Sequence, residues 1–233
     1  LYTVLDNTGC TRTGYTFQSW KLYQGTTLIG TFANLPETIN SWNYSAANNS
    51  TFTFKAYYGD SANTYEITYK PNCSGSVQSD QIQSDITYGS SFETKGFVFT
   101  CPGAVMTGWS EPFPLLSHTY AYNRASDTTL NAQWQVCSAG TYQTGNNCEA
   151  CAAGYESGAG ATSCTPMNYD VTYACGDGAT GTAPVADTAT YNVNYIPAIN
   201  TCSKTGYVFG GWAVSDTGTP GDVKAAGTAF AYD

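Results

Sequence analysis

The sequence predicts an all-β extracellular protein, and three observations support this. Only 11% of the 233 residues are charged, whereas soluble domains usually hold roughly 25%. Polarity comes instead from Thr, Ser, Asn, Gly and 19 Tyr; Thr and Tyr suit a half-buried pleated surface, and Gly and Asn suit turns. Nine cysteines, spaced as if by module, indicate disulfides and therefore an oxidising compartment.

The charge balance argues against two classes of partner. The chain has 8 basic and 17 acidic residues, for a net charge of −9. Nucleic acid and anionic membrane surfaces both reward positive charge. No apolar run is long enough to span a bilayer. We therefore expect no nucleic-acid binding and no direct membrane insertion.

Two strand-like segments share the pattern Tyr-x-[Ile/Val]-Thr-Tyr, at residues 65–69 and 169–173. Alternation places every second side chain on one face, which is typical of a sheet with one buried side. Each segment is followed by a cysteine, by a second cysteine 28 or 27 residues later, and then by a Trp. Equal positions predict equal bonds, Cys73–Cys101 and Cys175–Cys202. Each would contribute on the order of 3.5 kcal/mol in the chain-entropy model.

These landmarks divide the chain into four parts. Residues 63–134, the central repeat, are complete and end with the strand-like Leu130–Trp134. Residues 168–233, the last repeat, follow the same order without a counterpart of that strand. Residues 1–60, the first segment, match the other half and lack the opening strand. Residues 135–167 form a Cys-rich segment. We expect a cut through a longer tandem array, so that neighbouring repeats of the same protein are partners.

Cys10 fits this interpretation. It precedes Trp20 by ten residues, as Cys202 precedes Trp212. An odd cysteine in a secreted protein needs a partner elsewhere. We therefore expect Cys10 to be unpaired within this chain, its partner lying upstream of residue 1.

The Cys-rich segment reads C-x10-C-x2-C-x12-C. We expect the two central cysteines to bond outward, giving Cys137–Cys148 and Cys151–Cys164. The crossed pairing, 137–151 with 148–164, stays open. A zinc site is a further alternative, since C-x2-C is a common half-site.

The aromatic residues recur in register with the repeats, as in TGYTFQSW at 13–20 and TGYVFGGW at 205–212. Strand alternation would bury the Tyr and Phe together, and Gly210-Gly211 would bend the strand and turn the Trp toward the same core. The alternative is an exposed sugar-stacking platform. The predicted structural core comprises Tyr15, Phe17, Trp20, Trp109, Trp134, Tyr207, Phe209 and Trp212.

The sequence offers no catalytic centre. Its single His118 lies in a Pro-flanked loop without a partner nucleophile, and the carboxylates are scattered. No metal-ligand cluster and no phosphate-binding glycine loop is present in the pattern. We expect no enzymatic activity, no cofactor and no metal.

The TGYVFGGW stretch, the Tyr-rich strands before it and the closing TLNAQW resemble the Listeria–Bacteroides repeat, also called the internalin B-repeat. The resemblance implies β-grasp-like modules, all-β or small α+β, in extracellular bacterial proteins, where they act as spacers or receptor-binding units. In the Cys-rich segment, Cys-x-x-Gly-Thr-Tyr and Cys-x-x-Cys-x-x-Gly-Tyr resemble the short Cys-rich repeats of ephrin-receptor and TNF-receptor type.

Three functions follow as hypotheses. The first is a non-enzymatic, disulfide-stapled stalk or spacer, or the body of a self-associating surface fibre. The second is an adhesin that binds host glycan or protein through Tyr-rich faces. The third is a non-catalytic part of a secreted hydrolase. All three place the chain at the cell surface or outside the cell.

Overall fold

The computed structural model describes residues 2–4, 9–33, 35–39, 51–74, 76–214 and 222–231. Every helix or strand in these ranges is a β-strand, which confirms the all-β prediction and leaves the α+β form without support there. The described residues include no helix able to cross a membrane. The chain divides into two compact units, residues 1–99 with 106–133 and residues 100–105 with 134–233.

The first eleven strands belong to the first segment and the central repeat. They are β1 (Tyr2–Val4), β2 (Ser19–Gln24), β3 (Thr27–Phe32), β4 (Glu37–Ile39), β5 (Phe52–Tyr57), β6 (Thr64–Lys70), β7 (Gln81–Thr87), β8 (Ser91–Glu93), β9 (Ala104–Trp109), β10 (Thr119–Ala121) and β11 (Thr128–Val136).

The first segment contains a three-stranded sheet in the order β3-β2-β5. Both pairings are antiparallel, and Trp20 lies opposite Phe32 on one side and Ala56 on the other. A small core of Val4, Leu22 and Phe32 forms against this sheet.

The central repeat is built on a four-stranded sheet in the order β7-β6-β11-β9. Strands β6 and β11 run parallel, with Thr128 opposite Ile67 and Leu130 opposite Tyr69. Leu130 and Tyr69 have no exposed surface, and burial alternates along both strands, as expected for a sheet with one covered face. The opening and closing strands of the repeat therefore lie side by side in its middle.

The remaining strands belong to the Cys-rich segment and the last repeat. They are β12 (Thr141–Thr144), β13 (Asn147–Ala150), β14 (Tyr155–Glu156), β15 (Thr165–Pro166), β16 (Asn168–Val171), β17 (Thr180–Gly181), β18 (Asp187–Thr190), β19 (Asn194–Tyr195), β20 (Cys202–Ser203), β21 (Trp212–Ala213), β22 (Val223–Lys224) and β23 (Phe230–Ala231). They form two-stranded pairs: β12-β13, β14-β15, β16-β18, β17-β20, β19-β23 and β21-β22.

Disulfides cross-link this part of the chain. Cys137 is bonded to Cys148 and Cys151 to Cys164, which is the outward pairing rather than the crossed pairing or a zinc site. Cys175 is bonded to Cys202. Cys73 and Cys101 are disulfide-bonded as well. The predicted bond between those two, and the upstream partner of Cys10, stay predictions.

Candidate functional site

An aromatic cluster forms around Trp109 in the central repeat. Its ring meets the ring of Tyr69 edge-on, with centroids 4.7 Å apart. Its indole Nε1 donates a hydrogen bond of 2.8 Å to the carbonyl oxygen of Lys95. Both rings are buried. Because a buried indole N–H needs an acceptor, the Lys95 carbonyl lets Trp109 enter the core without an unsatisfied donor.

The last repeat contains the same arrangement. Trp212 meets Tyr173 edge-on at 4.8 Å, and its Nε1 donates a hydrogen bond of 2.8 Å to the carbonyl oxygen of Ala198. In both repeats the acceptor lies 14 residues before the Trp. Trp212, however, is only half-buried. The two repeats share this geometry, but the Trp side chain is more exposed in the last repeat than in the central repeat.

A second aromatic pair is also common to both repeats. Strands β8 and β10 place Phe92 opposite Tyr120, and β19 and β23 place Tyr195 opposite Phe230. The ring centroids are 6.3 Å apart in the first pair and 6.1 Å in the second. In the last repeat the hydroxyl of Tyr195 also shares a hydrogen bond of 2.7 Å with the hydroxyl of Tyr173. Burial, and then this bond, raise the pKa of Tyr195.

One difference between the repeats concerns the strand beside the recurring Trp. In the central repeat β11 lies between β6 and β9. The matching strands of the last repeat are β16 and β21, and within the described residues no strand lies between them. A groove of about 930 Å³ is found there instead. This groove is the candidate functional site.

Aromatic side chains form much of the groove wall. They are Tyr169, Tyr173, Tyr195, Tyr207, Phe209, Trp212 and Phe230. Polar groups include Asp170 and Lys204. The Lys204 ammonium lies 4.9 Å from the centre of the Tyr207 ring and donates to the carbonyl of Asp177. The groove thus combines apolar faces with a few polar contacts, as binding sites usually do.

Backbone hydrogen bonds continue beyond the paired residues of β16 and β18. The N–H of Tyr191 donates to the carbonyl of Met167 at 2.9 Å, and the N–H of Met167 donates to the carbonyl of Gly154 at 2.8 Å. These bonds hold the start of the last repeat against the end of the Cys-rich segment.

The predicted core residues are buried to different extents in the structure. Trp109 is buried at 1% exposure. Five others are half-buried: Tyr15, Phe17, Trp20, Trp134 and Trp212. Tyr207 and Phe209 are 72% and 39% exposed, so the prediction that they lie in the core is wrong.

The reason lies in which strands neighbour these residues in each repeat. Counting back from the Trp, the counterparts of Tyr207 and Phe209 are Ala104 and Met106, which lie on β9 and are 3% and 2% exposed. In the last repeat the matching backbone is not a strand until Trp212. No strand among the described residues pairs with this segment, so it does not adopt the alternation on which the prediction depends.

A polar residue that the sequence did not single out organises the Cys-rich segment. The Gln143 side chain accepts a hydrogen bond of 2.7 Å from the N–H of Gly103 and donates one of 2.6 Å to the carbonyl of Ala104. The Gly103 carbonyl accepts from the N–H of Cys137 at 2.9 Å. A lone Gln in a Thr-rich hairpin carries no pattern that marks this role.

Comparison with known proteins supports part of the resemblance. Residues 169–229 match the family model of the Listeria-Bacteroides repeat domain. No curated protein and no solved structure shows significant similarity to the chain. The likeness of the Cys-rich segment to ephrin-receptor and TNF-receptor repeats stays a prediction. A bacterial repeat domain together with disulfides indicates a surface or extracellular repeat protein, and the last repeat is similar to the Listeria-Bacteroides repeat domain.

Proposed function

We propose that the chain acts as a non-enzymatic stalk or spacer in a bacterial surface or extracellular protein. One observation carries the proposal: Trp109 with Lys95 and Trp212 with Ala198 have the same hydrogen-bond length and sequence spacing. A series of modules, each with its own core, gives a protein length without requiring a shared active centre.

The disulfides suit a protein under tension. The bond between Cys175 and Cys202 closes a loop of 27 residues. When the last repeat unfolds under force, the closed loop cannot extend. At roughly 3.3–3.6 Å per extended residue, this reduces the extension of the chain by roughly 90 Å. The bonds of the Cys-rich segment, with separations of 11 and 13 residues, withhold less. A cross-linked stalk therefore lengthens little even after a module yields.

Force spectroscopy of the full chain tests this role. Pulled between its ends under oxidising conditions, the chain should unfold in discrete steps with short contour-length gains. The double substitution Cys175→Ser with Cys202→Ser should lengthen one step by roughly 90 Å. Reduction opens the other disulfides as well and should lengthen further steps. Cys137→Ser with Cys148→Ser is the matched control and should lengthen a step by less than half as much. A chain that extends without discrete steps in the oxidised state would contradict the proposal.

The groove favours a second candidate, an adhesin that binds a host glycan or protein. Tyr207 is 72% exposed on the groove wall, and Tyr covers contact area with few rotatable bonds. Arrays of glycans and host surface proteins test it with the full chain. Binding that is lost in Tyr207→Ala and kept in Val185→Ala would support it, since Val185 is 88% exposed and lies outside the groove. Absence of binding on both arrays would count against it.

A further inference from the structure

We propose that one recurring joint connects the modules of this chain, and that modules of unrelated sequence are interchangeable at it. The modules are the first segment, the central repeat, the Cys-rich segment and the last repeat. In each joint a glycine turn of one module accepts a backbone N–H from the start of the next module. The inference goes beyond the stalk role and does not depend on it.

The first part of the joint is a four-residue turn with glycine in its third position. The N–H of the fourth residue donates to the carbonyl of the first, at 3.0 Å in residues 12–15 and at 3.1 Å in residues 101–104 and 152–155. The turns read RTGY, CPGA and AAGY, so glycine is the residue that all three share. Its φ is 77°, 72° and 79° in chain order, within the left-handed region that favours glycine.

Two backbone hydrogen bonds follow each turn. The boundary residue, which lies at or within two residues of the start of the next module, donates its N–H to the glycine carbonyl at 2.7–2.9 Å. Its own carbonyl accepts from the N–H of a third residue, the packing residue, at 2.8–2.9 Å. In the order turn glycine, boundary residue and packing residue, the three joints are Gly14, Asn63 and Tyr88; Gly103, Cys137 and Gly160; and Gly154, Met167 and Tyr191.

The spacing of these residues shows what sets the contact. The packing residue follows the boundary residue by 25, 23 and 24 residues in the three joints, whereas the boundary residue follows the glycine by 49, 34 and 13 residues. The same hydrogen bonds therefore form across connections of very different length. The turn and the opening stretch of the next module determine the joint, and the length of chain between them does not.

The packing residue lies directly against the turn glycine. A Cβ at Gly14 would overlap ring carbons of Tyr88, and a Cβ at Gly154 would overlap the ring of Tyr191. At Gly103 the same position is taken by the backbone carbonyl of Gly160. Glycine is thus required for two separate reasons, the positive φ and the close approach of the packing residue.

Side-chain contacts around the joints differ. In the first joint the Thr16 hydroxyl donates to the Asn63 side chain at 3.0 Å, and in the third the rings of Tyr155 and Tyr191 meet edge-on at 5.5 Å. The shared part consists of backbone groups and one glycine. Because every residue except proline carries a backbone donor and an acceptor, modules of different sequence can form the same joint.

The Cys-rich segment is connected through this joint on both sides. Its boundary residue Cys137 bonds the turn of Gly103, and its own turn at Gly154 receives Met167. The segment therefore begins with the feature that a preceding turn accepts and ends with a turn that accepts the next module. A unit built in this way can be inserted into an array or removed from it without altering the joint on either side.

Amide hydrogen exchange of the full chain, resolved by NMR under oxidising conditions, tests the joint. Gly154→Ala places a Cβ against the Tyr191 ring and should open the third joint. We expect exchange of the Met167 and Tyr191 amides to accelerate by about tenfold or more. Exchange at Asn63 and Tyr88, in the first joint, should not change. Unchanged exchange at Met167 and Tyr191 would overturn the proposal.

Gly140→Ala is the matched control. Gly140 lies in the same segment with a φ of 81°, and a Cβ there meets no atom within 4 Å. The variant imposes a similar backbone strain without touching a packing residue, so exchange at Met167 and Tyr191 should match that of the parent chain. Equal acceleration in Gly140→Ala and Gly154→Ala would mean that strain in the segment controls these amides, and would overturn the assignment.

Excision of residues 137–166 tests whether the modules are interchangeable. In the excised chain Met167 takes the sequence position of Cys137. We expect its N–H to bond the Gly103 carbonyl and the Tyr191 ring to lie against that glycine. The Met167 and Tyr191 amides should therefore stay protected although their original turn has been removed.

Gly103→Ala distinguishes the two arrangements. In the full chain this substitution should accelerate exchange at Cys137 and Gly160 and leave Met167 and Tyr191 unchanged. In the excised chain it should accelerate exchange at Met167 and Tyr191 by about tenfold. Rapid exchange at those two amides in the excised chain that keeps Gly103, with the last repeat folded or unfolded, would overturn interchangeability. The force measurements use the unmodified chain, so the stalk role stands or fails separately.

Discussion

The indole of Trp212 donates a hydrogen bond to the carbonyl of Ala198, as the indole of Trp109 does to that of Lys95. In each repeat this bond connects a strand to a loop 14 residues earlier. The two bonds have the same length of 2.8 Å. The burial of the two Trp side chains differs, because β11 lies beside the strand of Trp109 and no described strand lies in the matching place beside Trp212.

Replacing each Trp by Phe should therefore have unequal effects. Trp109→Phe removes the indole hydrogen bond to the Lys95 carbonyl, which keeps only the longer bond of 3.4 Å from the Ser117 N–H; we expect a cost of about 1–3 kcal/mol before lost packing is counted. Trp212 is half-buried whereas Trp109 is buried, so the cost of Trp212→Phe should be smaller. Hydrogen exchange followed by mass spectrometry can read each repeat separately, which matters because the chain has more than one unit. Equal deprotection of the two repeats would contradict this account.

Gln143 should be essential for the start of the Cys-rich segment. Gln143→Leu keeps the size of the side chain but removes the acceptor for the Gly103 N–H and the donor for the Ala104 carbonyl. We expect a loss of about 1–3 kcal/mol, seen as faster exchange of the Gly103 amide. Gln133→Leu is the control, since Gln133 is exposed. Unchanged exchange at Gly103 would show that water replaces the side chain without cost.

The disulfides should contribute in order of loop length. In the chain-entropy model, Cys175–Cys202 contributes about 3.5 kcal/mol and the shorter Cys137–Cys148 about 2.8 kcal/mol. Paired Cys→Ser variants compared by thermal unfolding should therefore rank in that order. The reverse order would mean that native packing around Cys137, which is 1% exposed, outweighs the loop term.

High pH should destabilise the central repeat. Burial raises the pKa of Tyr69 to about 12, above its value of about 10 in an unfolded chain. The stabilisation is therefore complete below about pH 10 and is lost as the pH rises toward 12, in total about 2.7 kcal/mol. Denaturant unfolding across this range measures the loss.

Tyr69→Phe separates this effect from general alkaline unfolding. The variant loses the hydrogen bond of 2.7 Å from the Tyr69 hydroxyl to Gln83, so its stability at neutral pH should fall. Its further loss between pH 10 and 12 should be smaller than that of the parent chain. If the variant lost as much stability as the parent chain between pH 10 and 12, the alkaline destabilisation would be due to another tyrosine.

The sequence predicts this fold well where a segment has both the alternating pattern of a strand and a neighbouring strand to pair with. The β-strand composition and the alternation at residues 65–69 correctly indicate a sheet with one covered face, because β7 and β11 are present to pair with β6. The same reasoning fails at Tyr207 and Phe209, where alternation needs a partner strand that the described chain does not supply. The role of Gln143 could not be predicted, because its two backbone partners are about 40 residues away.

The parallel contact of β6 with β11 has a consequence for biosynthesis. The N–H of Glu66 bonds Asp127, 61 residues later, so the middle of the sheet joins the two extremes of the repeat. Contacts of such range form late and slowly, since the intervening loop must close first. A repeat emerging from the ribosome or a secretion channel cannot complete its core until its final strand has emerged. The core of the repeat should therefore be the last part of it to fold, once β11 is available to pair with β6.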